Sequence, residues 1–223
     1  MTRSRLPLRL GVIALMILSI QMSGCSLFVM AGKFLMGDPV AESQFKQRTG
    51  VDLRKDKKKV VVVCSVPEML RQENASIDHD LVESIVRRFR VRDIETIPPR
   101  DVDRWLSSLG GVWNSPQEIA QKFEANYIIH VDLESVTYRE PNSPNMYRGN
   151  CLGNVYVYEI RGEKKDKNAF LVFQHEFSST YPQLHPVSVD QSSMRSFQEK
   201  YITRVSDELA RLFYDFKMTE EVY

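Results

Sequence analysis

Lys59-Val60-Val61-Val62-Val63-Cys64-Ser65-Val66 is an unbroken, β-branched run that stops at Pro67. It shows no alternation of polar and apolar residues, so neither face of this strand is built for water. Runs of this kind sit in the middle of a sheet that is covered on both sides. The chain must therefore supply helices for two faces, and the residues that follow do so. From Asp80, the residues Leu81, Val82, Ile85, Val86 and Phe89 recur at helical spacing, and Arg87, Arg88 and Arg90 fall in the last turn, where cations suit the helix dipole. A short strand over Ile94 to Ile97 ends at Pro98-Pro99. Val102, Trp105, Leu106 and Leu109 then mark a second helix closed by Gly110-Gly111. Ser115-Pro116-Gln117-Glu118 opens a third, with Ile119, Ala120 and Phe123 on its inner face.

Further along, Tyr127, Ile129, Val131 and Leu133 alternate with Ile128, His130, Asp132, Glu134 and Val136, which predicts a strand with one wetter side. After a loop at Pro141-Asn142-Ser143-Pro144-Asn145, two strands over Leu152 to Ile160 and Phe170 to Thr180 flank a polar turn and should pair as an antiparallel hairpin. A long helix from Asp190 carries Met194, Phe197, Tyr201, Val205, Leu209, Leu212 and Phe216 inward. The order is β-α-β-α-α-β-β-β-α. Right-handed crossovers make the first three strands parallel, and the hairpin adds an antiparallel extension. The expectation is one α/β domain of α+β-like character, a five-stranded mixed sheet flanked by helices, over residues 58–217, with a tail at 218–223.

The 223 residues are 43% hydrophobic and 26% charged, enough for a real core, and the formal charge of +1 creates no field that would gather nucleic acid. The amino terminus reads as an address. Arg3, Arg5 and Arg9 precede an apolar run from Leu10 to Ile20 that is too short to span a bilayer and fits a secretory signal. Met22-Ser23-Gly24-Cys25 follows, and resembles a bacterial lipobox with Met where Leu is usual. That resemblance implies a signal peptide at 1–24, cleavage before Cys25, and a diacylglycerol on its thiol with palmitate among the acyl chains. Residues 25–57 then form a membrane-proximal tether. Ser26 lacks the Asp that retains lipoproteins at the inner membrane, which implies the outer membrane, facing the periplasm. Removal of three arginines with the signal takes the formal charge from +1 to −2, and Arg54, Lys55, Lys57, Lys58 and Lys59 read as a solvated lead-in to the first strand.

Taken together, Cys25, the Val60 to Val63 strand, the helix at Leu81, the Asp101-Val102 helix and Ala125-Asn126-Tyr127-Ile128-Ile129-His130-Val131-Asp132 resemble the periplasmic domain shared by TolB amino-terminal, curli-secretion and penicillin-binding-protein-activator lipoproteins. The resemblance implies binding to other envelope proteins or ring assembly, without a catalytic centre. The transmembrane hairpins of curli-type pores have no counterpart once the five strands are assigned.

Candidate chemistry is sparse. There is no nucleophile elbow and no glycine-rich phosphate loop, and Ser178 and Ser179 read as strand residues. His130, Asp132 and Glu134 share a strand face opposite a row of Gln174, Glu176 and Ser178, and form the best polar cluster. Either they line a solvated sheet face, or, as paired carboxylates like Asp101 and Asp103, they serve a cell-wall hydrolase or transferase. Asp78-His79-Asp80 fits helix capping better than metal binding, and no metal or cofactor is implied. His175, between Phe173 and Phe177, reads as a core or rim histidine. Cys64 and Cys151 could form a disulfide in an oxidising compartment or remain buried thiols. Two loops carry contact-prone residues: Arg139 to Asn150, with Met146, Tyr147 and Arg148, and Tyr181 to Pro186, with Tyr181 and His185. The leading expectation is a lipid-anchored, non-enzymatic envelope protein that binds an envelope protein or itself through these loops.

Overall fold

The computed structural model describes residues 39–111, 113–163 and 166–218. Two compact units divide the chain. One takes in residues 39–41 and 217–218 of the described chain, where the Met218 amide donates to the Pro39 carbonyl at 3.0 Å. The other, residues 42–216, is a mixed α/β domain.

Its five-stranded sheet starts from β1 (Val60–Ser65), buried from Val60 through Cys64. β1 runs parallel to β2 (Tyr127–Glu140), with Val60 opposite Tyr127 and Ser65 opposite Asp132. β2 pairs antiparallel with β3 (Ser143–Arg161), and β3 with β4 (Asn168–Tyr181). β5 (Val187–Ser188) lies against Met146 and Tyr147 of β3.

Among the described residues, six helices surround the sheet: α1 (Gln44–Thr49), α2 (Glu68–Glu73), α3 (Ile77–Val91), α4 (Pro99–Ser108), α5 (Pro116–Lys122) and α6 (Met194–Ala210). As the valine run requires, both faces of β1 are covered. Val60 and Val62 join Ile129, Val155 and Phe173 beneath Leu81, Ile85 and Phe89 of α3 and Phe197, Tyr201 and Val205 of α6. Val61 and Val63 join Ile128 beneath Val102 of α4 and Ile119 and Ala120 of α5. Arg88 fastens α3 to α6: its Nε meets Asp207 Oδ1 at 3.1 Å and its Nη2 donates to the Thr203 carbonyl at 2.8 Å.

Four features depart from the sequence reading. The strand over Ile94 to Ile97 is reduced to one parallel bridge, Val60 to Thr96. The Ile97 amide reaches the Val60 carbonyl, and then Pro98 and Pro99, which have no N–H to offer, end the ladder. β5 takes its place as fifth strand. The domain also begins before Lys58. Ser43 caps α1, Gly50 closes it in the left-handed region at φ 73°, and Phe45 and Leu53 are buried in the core. Phe45 packs edge-on to Tyr127 and Phe173 at 5.7 and 5.6 Å, so residues 42–57 are part of the fold rather than tether.

The third departure is the loop expected around residues 139–150. It is a tight turn at Pro141 and Asn142, with Asn142 at φ 63°, and the residues after it belong to β3. Finally, a bulge between Leu133 and Ser135 changes the alternation, so Val136 returns to the core rather than sharing the face of His130. The signal peptide, Cys25 and the tether as far as residue 38 lie outside the described residues.

The tightest packing is where β3 passes under α6. Tyr201 is fully buried, donates to the Ser179 carbonyl at 2.8 Å, and lies directly over Gly149. A Cβ at Gly149 would sit 2.5 Å from Tyr201 Cγ, so the strand or the ring would have to move. Gly149→Ala should lower the unfolding free energy by about 1–3 kcal/mol, the usual cost of overpacking. Urea denaturation of the two proteins measures it, and a difference under about 0.5 kcal/mol, the scale of neutral surface substitutions, would show that this contact does not constrain the fold.

Candidate functional site

β1 and β2 bring Ser65 and His130 together at the carboxyl end of the parallel pair. Ser65 Oγ and His130 Nε2 are 2.8 Å apart. Trp113 meets the imidazole edge-on at 4.8 Å, and Tyr156, opposite His130 on β3, lies at 5.8 Å. Desolvation in this aromatic setting pushes the imidazole down to about 4, so it is neutral at pH 7. The contact has the form of a nucleophile and its base, but a base this weak takes up protons poorly at neutral pH. Asp132, opposite Ser65, has a carboxyl raised by burial. Glu134 is exposed and accepts a hydrogen bond from Asn154 Nδ2 at 2.7 Å. The three polar side chains therefore follow one sheet face, as the alternation implied, with different surroundings. His130 is enclosed, Asp132 half-buried and Glu134 open. Gln174, Glu176 and Ser178 continue this face on β4, and all three are exposed. The part played by Ser65 was not legible, because the register of two parallel strands separated by four helices cannot be read from local pattern. Trp113 likewise had no periodic signal.

The loop candidates divide. Tyr147 is 5% exposed and stacks on Phe197 at 5.2 Å. Met146 is half-buried opposite Ser188. Arg148 pairs with Glu140 and donates through Nη1 to the carbonyls of Pro182 and Gln183 at 2.8 and 3.1 Å. Its guanidinium is thus engaged in holding the second loop. Tyr181 ends β4 and packs against Phe197 at 6.1 Å, under the Arg204 guanidinium. His185 is exposed beside Leu184, which is 83% exposed.

Cys64 and Cys151 are free and buried. Burial raises the Cys64 thiol well above its ordinary range, with a smaller contribution from Asp78. It pushes Cys151 up to about 12, with a smaller contribution from Glu208. Both thiols are therefore held protonated and poorly nucleophilic. His79 Nδ1 lies 2.9 Å from Asp103 Oδ2 and so ties α3 to α4. Asp80 accepts from Ser76 Oγ at 2.8 Å. Among the described residues, no group of three or more His, Cys, Asp or Glu converges as a metal site would require. A cleft of about 430 Å³ beside β1 is bordered by Cys64, Arg71, Asp78, His79 and Asp103. Another of about 540 Å³ runs between α3 and α6.

No family model matches the chain, and no curated protein matches it by sequence. Among solved structures, it is similar to the lipoprotein GNA1162 from Neisseria meningitidis, at 10% identity over 69% of this chain and 96% of that one, with a TM-score of 0.38. It is also similar to a PelC dodecamer from Paraburkholderia phytofirmans, at 14% identity over 79% and 98%, with a TM-score of 0.41. A third is the hypothetical protein CT253 from Chlamydia trachomatis, at 17% identity over 70% and 92%, with a TM-score of 0.38. None of the three is named as a TolB, curli-secretion or penicillin-binding-protein-activator protein.

The enclosed imidazole makes stability depend on pH. Its folded pKa lies below the unfolded value, so its contribution is whole above about pH 6.5 and is lost as pH falls through about 4. His175, lowered by burial and then by Arg48, acts in the same direction. Denaturation between pH 7 and 4 should show a loss on the order of 2–3 kcal/mol attributable to His130. His130→Gln should remove most of that slope, and an unchanged slope would place the imidazole in water. The thiols give a second check. In native protein without reductant both should resist alkylation, and both should react once urea is added. A thiol that reacts only after reduction would mean a disulfide.

Proposed function

We propose that this chain is a lipid-anchored protein of the bacterial cell envelope, carried by Cys25 on the periplasmic face of the outer membrane, and that its α/β domain works by binding another protein. The observation that carries this reading is Met22-Ser23-Gly24-Cys25 placed directly after a charged and apolar leader. Several acyl chains on one lipidated cysteine contribute about 0.8 kcal/mol per buried methylene, enough for stable attachment. The domain begins at Glu42, with residues 26–41 between it and Cys25 in the sequence.

A binding role is supported by what the polar candidates already do. His130 is bonded to Ser65 and enclosed by Trp113, and Glu134 is bonded to Asn154. These side chains are engaged in holding the sheet face. The exposed surface of the second loop, with Leu184 and His185 on a backbone held by Arg148, offers contact groups on a constrained frame. A wall hydrolase or transferase built on Asp132 and Glu134 would need the two carboxylates to flank a substrate, and here they project from one strand face.

Growth with an alkyne-labelled fatty acid tests the anchor. The protein should take up label and fractionate with membranes, and Cys25→Ala should lose both. Retention of label by Cys25→Ala would overturn the assignment. Crosslinking in intact cells tests the binding role. A neighbour captured by the wild type and lost with Cys25→Ala supports it, whereas turnover of wall fragments by the purified protein, abolished by Asp132→Asn, would replace it with the enzymatic reading.

A further inference from the structure

β4 ends the sheet on one side. Its inner edge is paired with β3 from Asn168 to Tyr181, and β5 also pairs with β3, leaving the outer edge of β4, among the described residues, without a strand. One contact fixes which residues face outward. Arg48 Nη1, reaching across from α1, donates to the Gln174 carbonyl at 2.9 Å. In an antiparallel strand the N–H and C=O of one residue point to the same side, and the side alternates along the chain. The only register shift in this pairing falls at Val172, so the run from Phe173 onward is regular. Gln174, Glu176, Ser178 and Thr180 therefore present both backbone groups outward, and of these only the Gln174 carbonyl is bonded, among the described residues.

Natural sheets usually protect such an edge with Lys, Pro, a covering segment or a shortened strand. Asn168–Tyr181 is 14 residues long and contains no Lys, Arg, Pro or Gly. Phe170 and Leu171 near its start are 46% and 52% exposed. The strand is open, apolar and nearly uncharged.

We propose that the outer edge of β4 pairs antiparallel with the same edge of a second copy of this chain, joining two sheets into one across a two-fold axis at His175. Side-chain pairing selects the copy and the register. Glu176 is the only carboxylate on the strand. An axis at His175 sets Glu176 opposite the neutral Gln174 of the second copy, twice. An axis at Glu176 would set two carboxylates directly opposite, which is unfavourable. The His175 register also brings Phe173 opposite Phe177 of the second copy on each side, a favoured aromatic pairing. Each Arg48, which lies over Phe173 on the opposite face from Glu176, gives up the Gln174 carbonyl to the incoming strand. This inference deepens the protein-binding reading above and rests on it.

The test uses the full anchored chain in detergent. Sedimentation equilibrium should show a reversible dimer. His175→Cys should form a disulfide-linked dimer under mild oxidant, since residues facing each other across a two-fold lie within disulfide reach, and Ser178→Cys should not. Glu176→Pro, which removes an outward N–H that the fold leaves unbonded, should weaken the dimer at least tenfold while leaving the thermal midpoint of the domain unchanged. A protein that stays monomeric at every concentration, or a dimer indifferent to Glu176→Pro and linked at neither site, would overturn the pairing. If the protein is monomeric while photo-crosslinkers on β4 capture a different protein in cells, self-pairing falls and the protein-binding reading stands. If β4 and the second loop capture nothing and the protein is monomeric, both fall.

Discussion

The structure depends on one strand that can have no wet face. Val60, Val61, Val62 and Val63 point alternately to two sides of the sheet, and all four are buried. At about 25 cal/mol per Å² of apolar surface, exposing the two valines of either side would forfeit several kcal/mol, a large share of the margin that keeps a domain folded. Both layers of helices follow from this. α3 and α6 close one side, and α4 and α5 the other. The rest of the sheet alternates and needs cover on only one side, which is why the polar row from His130 to Glu134 emerges from beneath Trp113 toward solvent.

Much of this was legible because burial leaves a period in the sequence. The valine run, the helical spacing from Leu81 to Phe89 and the alternation from Tyr127 to Leu133 each name their own environment. What could not be read depended on partners distant in sequence. Residues 42–57 look polar, yet Phe45 enters a nest made by Tyr127, Phe173 and Phe213, three residues from separate parts of the chain. Proline and glycine between residues 141 and 149 suggested a loop. Pro144 is tolerated near the start of a strand, and Gly149 is there because Tyr201 needs the space.

The same distinction applies to the site. That His130, Asp132 and Glu134 share a face came from a period of two. That His130 is bonded to Ser65 came from a parallel register joining residues 65 positions apart, and that it is neutral came from its burial. Tyr147 and Arg148 are the residue types that contact surfaces favour, but the fold uses them internally, one as a stacked ring and the other as a clamp on the backbone of residues 182 and 183. Composition alone does not separate these two uses.

The bulge at Leu133 and Ser135 constrains how the chain can change over generations. Two residues of β2 there span a single step of β3, and a Cβ on Gly153 would collide with the Asp132 carbonyl and the Phe177 ring. Loss of the one extra residue at this point would close the bulge, keeping Ser135 opposite Leu152 and Val136 opposite Cys151, so every inward side chain would stay inward. Loss of a residue between Tyr127 and Leu133 would instead turn the later side chains of β2 over. Length variation in this arm of the hairpin is therefore confined to the bulge or to paired changes in both strands, and divergent descendants should differ in spacing there before they differ along the rest of the strand.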